Sequence, residues 1–246
     1  MSPVKSWSYS AWALYDQCPL KYKLAKIDKL KEPASPAMER GIAIGKMMEN
    51  YLKGKKDLLD EKSEAHRRDF KEAVIRFEGI TDQAKKFHKK RSMLTIIEDN
   101  WAFTKEWAQT TWDNWKDCWL RVKLDYAYSV DGEVLHIIDW KTGKFRDAEK
   151  DKYVKQLELY CLSGLLLYPH IKTVTAKLCY LDLGREYPNG VDEPEMRFSR
   201  ADIPALKKTW VKRIAPMFVD EQFAPKPNGL CGWCHFRASN GGPCKF

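Results

Sequence analysis

No run of about 18 apolar residues occurs in this 246-residue chain, so no membrane span is expected. The longest greasy stretch, Leu162 to Tyr168, is far too short. Met1 to Ser10 has no apolar signal-peptide core, and a cytoplasmic location is expected. Histidine is scarce, and neither His-Glu-x-x-His nor Gly-x-Ser-x-Gly is present. His66, His88, His136 and His170 are isolated and read as surface or structural residues. Gly41-Ile42-Ala43-Ile44-Gly45-Lys46-Met47 looks like a phosphate-binding loop. It is one residue short, however, and lacks the Ser or Thr after Lys that would hold Mg²⁺, so ATP hydrolysis is not expected. In a reducing compartment, the seven Cys do not suggest a disulfide framework.

Acidic residues are also in deficit: 34 Asp and Glu face 43 Lys and Arg, a formal net charge of +9. Such a surplus bears on partners, not on fold. With ten Trp and eleven Tyr, it suits a nucleic acid, whose phosphates take cations and whose bases stack on rings. The alternative is a solubilising lysine surface. The length suits one or two domains and is enough to bury a sizeable core.

The hydrophobic pattern divides the chain. Ser8 or Ser10 can cap a first helix that Pro19 breaks near Cys18. Lys31 to Pro36 reads as a loop, and Arg40 to Leu52 as a helix carrying Ile44, Met47, Met48 and Tyr51. Asp60 to Asn100 is highly charged and reads as mostly helical, with Phe70, Val74, Ile75 and Phe77 as a partial stripe. From Trp101 the period changes to two. Arg121 to Ser129 sets Val122, Leu124, Tyr126 and Tyr128 against Arg121, Lys123, Asp125 and Ala127, and Val134 to Lys141 is a second strand. Asp151 to Tyr168 is an amphipathic helix, Ile171 to Leu183 a strand with which Glu195 to Phe198 can pair, and Ala201 to Phe223 a long helix. Strands mixed with helices imply an α/β core around a central sheet.

Chemistry concentrates at Ile137-Ile138-Asp139-Trp140-Lys141-Thr142-Gly143. Asp139 and Lys141, two apart on a strand, share a face. Asp139 can bind a divalent metal, the Trp140 carbonyl can add an oxygen ligand, and Lys141 can stabilise charge on a phosphate. Asp-x-Lys alone is a weak signal, since Asp60-Glu61-Lys62 repeats it in a polar segment. If Asp131-Gly132-Glu133 forms the hairpin loop, Asp125 lies across from Asp139 and Lys123 across from Lys141. Two facing carboxylates want a cation between them. The alternative is a solvent-facing salt-bridge ladder. On the following helix, Gln156 and Tyr160 stand one turn apart on one face, with Lys152 and Lys155 nearby.

An Asp on one strand, Asp-x-Lys on the next and Gln-x-x-x-Tyr on a helix resemble the RecB-like PD-(D/E)xK nucleases. Ser8-Tyr9-Ser10-Ala11-Trp12, Cys18-Pro19-Leu20-Lys21-Tyr22 and Arg40-Gly41 extend the similarity, which is closest to small phage-encoded members and to the single-strand exonucleases of CRISPR adaptation. The resemblance implies a restriction-endonuclease-like α/β fold: a central mixed sheet flanked by helices, with a helical N-terminal part and a Cys-rich tail. It implies one nuclease domain over 1–246, mainly helical to 100, with the core at 101–223 and the tail at 224–246. It also implies Mg²⁺ or Mn²⁺ on Asp125 and Asp139, a catalytic Lys141, and Gln156 and Tyr160 completing the site. The expected activity is a DNA exonuclease acting on single strands or ends. A catalytically weak nucleic-acid-binding protein and an RNA-directed nuclease are the rivals.

Cys231-Gly232-Trp233-Cys234 and Cys244 place three thiols in the tail, a pattern open to an iron–sulfur cluster, to zinc or to free thiols. The resemblance supplies Cys18 as a fourth ligand and favours a 4Fe-4S cluster. Cys118, Cys161 and Cys179 sit in apolar surroundings and read as buried thiols. One departure stands out: where the family places a metal-binding His after Gly41, this chain has Gly45. Glu49, one turn further on, is the candidate to replace it.

Overall fold

The computed structural model describes residues 2–55, 63–89 and 94–246. Asp60-Glu61-Lys62 lies outside them. Strand β1 (Trp7–Ser8) leads into α1 (Tyr9–Gln17), whose N-cap Ser8 accepts a bond from the Ala11 amide. Cys18 ends α1, because Pro19 opens the short α2 (Pro19–Tyr22) in its place. Helix α3 (Pro36–Leu52) begins earlier than the apolar pattern suggests: Ser35 caps it and Pro36 occupies its first turn. Helices α4 (Glu64–Arg76) and α5 (Glu78–Lys89) follow.

The expected helix over Asp60 to Asn100 is overturned at its end. Leu94 to Phe103 is strand β2, the first long strand of the sheet. Thr95, Ile96 and Ile97 are β-branched and pair with the later strand β4 (Leu120–Ser129), and that tertiary pairing overrides the helical look of Glu98-Asp99-Asn100. The remaining strands are β3 (Gln109–Thr110), β5 (Val134–Lys141), β6 (Thr173–Tyr180), β7 (Arg185–Tyr187) and β8 (Met196–Ser199). Helix α6 (Lys150–Leu167) crosses from β5 to the parallel β6, and α7 (Ile203–Val219) follows β8.

Among the described residues the eight strands form one mixed sheet ordered β3-β2-β4-β5-β6-β7, with β8 on β6 and β1 on β4. Helices cover both faces. Leu135, Ile137, Val122 and Leu124 pack with α6, α7 and α1 on one side, while Ile97, Tyr126 and Ile138 pack with α3, α4 and α5 on the other. This is the expected α/β arrangement, a central mixed sheet flanked by helices.

The edge of β4 that faces β5 sets up the site. Antiparallel pairing with β5 runs over Tyr126↔Ile138 to Tyr128↔His136. At its other end the same edge pairs with β1, at Trp7↔Leu120, because β2 already holds the opposite edge there. Between the two pairings, β4 from Val122 to Asp125 has no ladder partner on this side, so a cleft opens in the sheet.

Candidate active site

Asp125 lies at the break in the ladder. The hairpin register agrees with the loop at Asp131-Gly132-Glu133, where the Asp131 carboxylate accepts the Glu133 and Val134 amides and Gly132 takes a left-handed φ of 74°. Extending that register sets Asp125 beside Asp139, but no ladder pair forms there. The Asp125 carboxylate instead accepts the Trp140 amide at 2.9 Å.

The expected strict alternation along β4 fails at this point. Val122, Leu124 and Ala127 join one core cluster and Tyr126 the other, so the alternation slips by one residue around Asp125. Strand β2 slips at the matching place, since Ile96, Trp101 and Phe103 lie in one cluster and Ile97 in the other. Glu98, opposite Asp125 in register, takes a φ of 52°, a strained value for a residue with a side chain. A two-strand kink of this kind re-aims side chains toward one place.

Asp139 is 3% exposed, which excludes a solvent-facing ladder. Its Oδ1 accepts the Tyr160 hydroxyl at 2.7 Å and the Gln156 amide at 3.4 Å, and Gln156 also donates to Tyr160 at 3.0 Å. Helix α6 presents both groups from consecutive turns, as their spacing requires. The other oxygen, Oδ2, lies 2.5 Å from the Lys141 ammonium. That close ion pair supplies the cation that the buried Oδ2 faces. Asp125, Asp139, Lys141, Gln156 and Tyr160 thus come together.

The electrostatics follow from two carboxylates sharing one cation. Asp125 as a residue is half-buried, but its carboxyl is enclosed by protein. Burial and the neighbouring Asp139 charge push its pKa well above the carboxylate range, against the opposing pull of Lys141. Burial alone would lower Lys141, yet the Asp139 and Asp125 charges raise it overall, so the amine stays protonated. The Tyr160 hydroxyl is raised strongly by burial and by Asp139, and it remains a donor.

Glu98 was not anticipated by sequence reasoning. Its charge adds to the upward push on Asp125, and its carboxylate lies 3.0 Å from Lys123. The polar run Glu98-Asp99-Asn100 carries no motif; only the pairing of β2 with β4 brings it to the site.

Helix α3 contributes less than expected. Glu49 lies near Lys123, but Lys46 and Lys53 hold its oxygens at 2.6 and 2.8 Å. Burial would raise its pKa; the two ammonium groups outweigh that and bring it down to about 2. A Cβ at Gly45 would meet nothing within 4 Å, so no close approach within the protein explains that glycine. The Arg40-Gly41 pair does have structural reasons. Arg40 bonds Asp69 and, through two nitrogens, Asp182, which accepts the Gly143 amide just beyond Lys141. A Cβ at Gly41 would press on Thr142 Oγ1 at 3.1 Å.

Beyond the C-terminal end of α1, Cys18, Cys231, Cys234 and Cys244 line one cavity. Lys226 and Asn228 tie the tail to the end of α1 through the Asp16 and Gln17 carbonyls. The Lys226 amide points at Cys18 Sγ (3.5 Å) and the Asn228 amide at Cys231 Sγ (3.3 Å). Gly242 returns the chain so close to Phe236 that a Cβ would lie 2.2 Å from its carbonyl carbon, and Cys244 then pairs with Phe236. Among the described residues no three His, Cys, Asp or Glu side chains converge on a single-ion position. Cys118, Cys161 and Cys179 are buried apart from this cavity, and burial raises all three thiols.

No curated protein matches this chain in sequence. Among solved structures, it resembles the crystal structure of a "Putative exonuclease" from Eubacterium rectale, with a TM-score of 0.54 at 13% identity. The match covers 95% of this chain and 88% of that one, and at such identity it speaks for the fold. Residues 6–239 match the family model of the PD-(D/E)XK nuclease superfamily, which spans the kinked sheet, the α6 face and most of the cysteine tail. This chain belongs to the PD-(D/E)XK nuclease superfamily.

Proposed function

We propose that this protein is a RecB-like, metal-dependent DNA exonuclease of one domain, acting on single strands or DNA ends. The observation that carries the reading is the buried Asp139, held by Tyr160 and Gln156 through one oxygen while the other faces Lys141 beside Asp125. Mg²⁺ is commonly bound through one or two carboxylates with water completing its shell, so Asp125 and Asp139, with the Trp140 carbonyl, suffice to hold it or Mn²⁺. The metal would supply Lewis-acid stabilisation of phosphate charge. Lys141, kept protonated by its two acidic neighbours, holds a cation where charge grows as water attacks the phosphate. Gln156 and Tyr160 fix the orientation of Asp139.

The four cysteines suit a 4Fe-4S cluster. They line one cavity, and amides directed at two of the sulfurs suit thiolate ligands. Such a group would join the end of α1 to the tail.

One observation favours a second reading, a nucleic-acid-binding protein with weak catalysis: α3 offers neither a side chain at Gly45 nor a free Glu49 carboxylate. End-labelled single- and double-stranded DNA, incubated with and without Mn²⁺, separates the two. The nuclease reading expects metal-dependent loss of label, abolished by Asp139→Asn and by Lys141→Ala. DNA retained but uncut under any divalent metal selects the binding protein.

A further inference from the structure

A cleft opens beside Asp139, and its lining includes Gln156 and Tyr160, which bond that carboxylate, together with Trp112 and Arg121. Outside it stands Trp115, 79% exposed, on the loop between β3 and β4. This ring is held in place. The Arg121 guanidinium lies 4.7 Å from its centroid and 5.7 Å from that of Trp112. Arg121 is itself anchored by bonds to Ser6 Oγ (2.9 Å) and to the Trp112 carbonyl (3.3 and 3.4 Å). Turn hydrogen bonds among Thr111, Asn114 and Asp117, with the Asn114 amide on Thr110 Oγ1, fix the loop backbone. One face of Trp115 is thus covered by a cation and the opposite face is bare.

A bare indole face backed by a guanidinium stacks an unpaired base of any identity, and the guanidinium keeps donors for a phosphate. Bases inside a duplex are already stacked and cannot reach such a ring. We propose that Trp115, clamped by Arg121, is a base-stacking platform for single-stranded nucleic acid, whose backbone passes through the Trp112 cavity toward Asp139. The proposal rests on the nuclease reading and assigns the single-strand preference to a specific residue.

The test uses the full chain in EDTA, where no cleavage occurs, and measures fluorescence anisotropy with a short single-stranded DNA oligonucleotide. Relaxed closed-circular duplex DNA, which offers neither ends nor unpaired bases, serves as competitor. Trp115→Ala should weaken single-strand binding about tenfold, as loss of one stacked base implies. Duplex competition and thermal stability should stay unchanged, and Trp115→Tyr should recover most of the affinity. If wild type binds and the Ala variant matches it, or loses both forms equally, the platform is overturned while the nuclease reading stands. If wild type neither binds nor, with Mn²⁺, cleaves either form, both fall together.

Discussion

Substituting Asp125 with Asn separates the chemistry of the site from the stability of the fold. Without metal, Asp125 and Asp139 share a single ammonium, leaving one negative charge uncompensated in an enclosed site. In the folded protein the Asp125 pKa therefore stands above its unfolded value of about 4. Below pH ~4 the group is protonated in both states and costs nothing. As pH rises past that value, the unfolded chain ionises first, and the fold loses stability until the raised folded-state value is passed. Asn removes the charge and can still accept the Trp140 amide bond. An uncompensated buried charge costs roughly 3–5 kcal/mol, and Lys141 together with the Trp140 amide offsets part of it, so about 2 kcal/mol should be recovered. For a domain of this size that is a rise in Tm of about 4–8 °C.

The assay is thermal unfolding of both proteins in EDTA at about pH 3 and pH 9, on either side of the transition. Asp125→Asn should be more stable at the higher pH and nearly equal at the lower, and it should cut no DNA. Mn²⁺ should raise Tm in wild type only, with an affinity that increases with pH because binding displaces a proton. A variant no more stable than wild type at pH 9, or equally stabilised at both pH values, would refute the account of the shared charge.

Three further outcomes are expected. Gly45→His should increase Mn²⁺ affinity in calorimetry and raise the cleavage rate, since a side chain there meets open space; removing a helical glycine should also add about 0.3 kcal/mol of stability, because His is itself a modest helix former. Unchanged metal affinity would mean that α3 does not face the metal. Anaerobically purified protein should be brown and contain iron, and Cys18→Ala should bleach it; a colourless protein with stoichiometric zinc would select zinc. DNA affinity should fall steeply between low and physiological salt, through the phosphate contacts that a +9 surplus provides, and a flat response would argue against a nucleic-acid partner.

What the sequence determined by itself is local. The hairpin of β4 and β5 with its turn at Asp131-Gly132-Glu133, the Asp139–Lys141 spacing and the one-turn spacing of Gln156 and Tyr160 follow from turn chemistry and from backbone periods of two and 3.6 residues. They put Asp139 and Lys141 on one strand and Gln156 and Tyr160 on one helix face, and the packing of α6 on the kinked sheet joins these two pairs beside Asp125. Caps and prolines likewise marked α1, α2 and the break at Cys18. Other features depended on partners distant in the chain. Leu94 to Asn100 is a strand because β4 pairs with it, whatever its charged composition suggests. The slip at Asp125 and Glu98 arises where two ladders fail together, and no single strand encodes that. Glu49 sits one turn from Gly45, yet Lys46 and the C-cap Lys53 occupy its carboxylate, as in a helix-stabilising surface Glu. Side-chain burial, the charge shared between Asp125 and Asp139, and the meeting of Cys18 with the tail exist only once the chain has closed around the sheet, because each is a balance among groups that the sequence holds far apart.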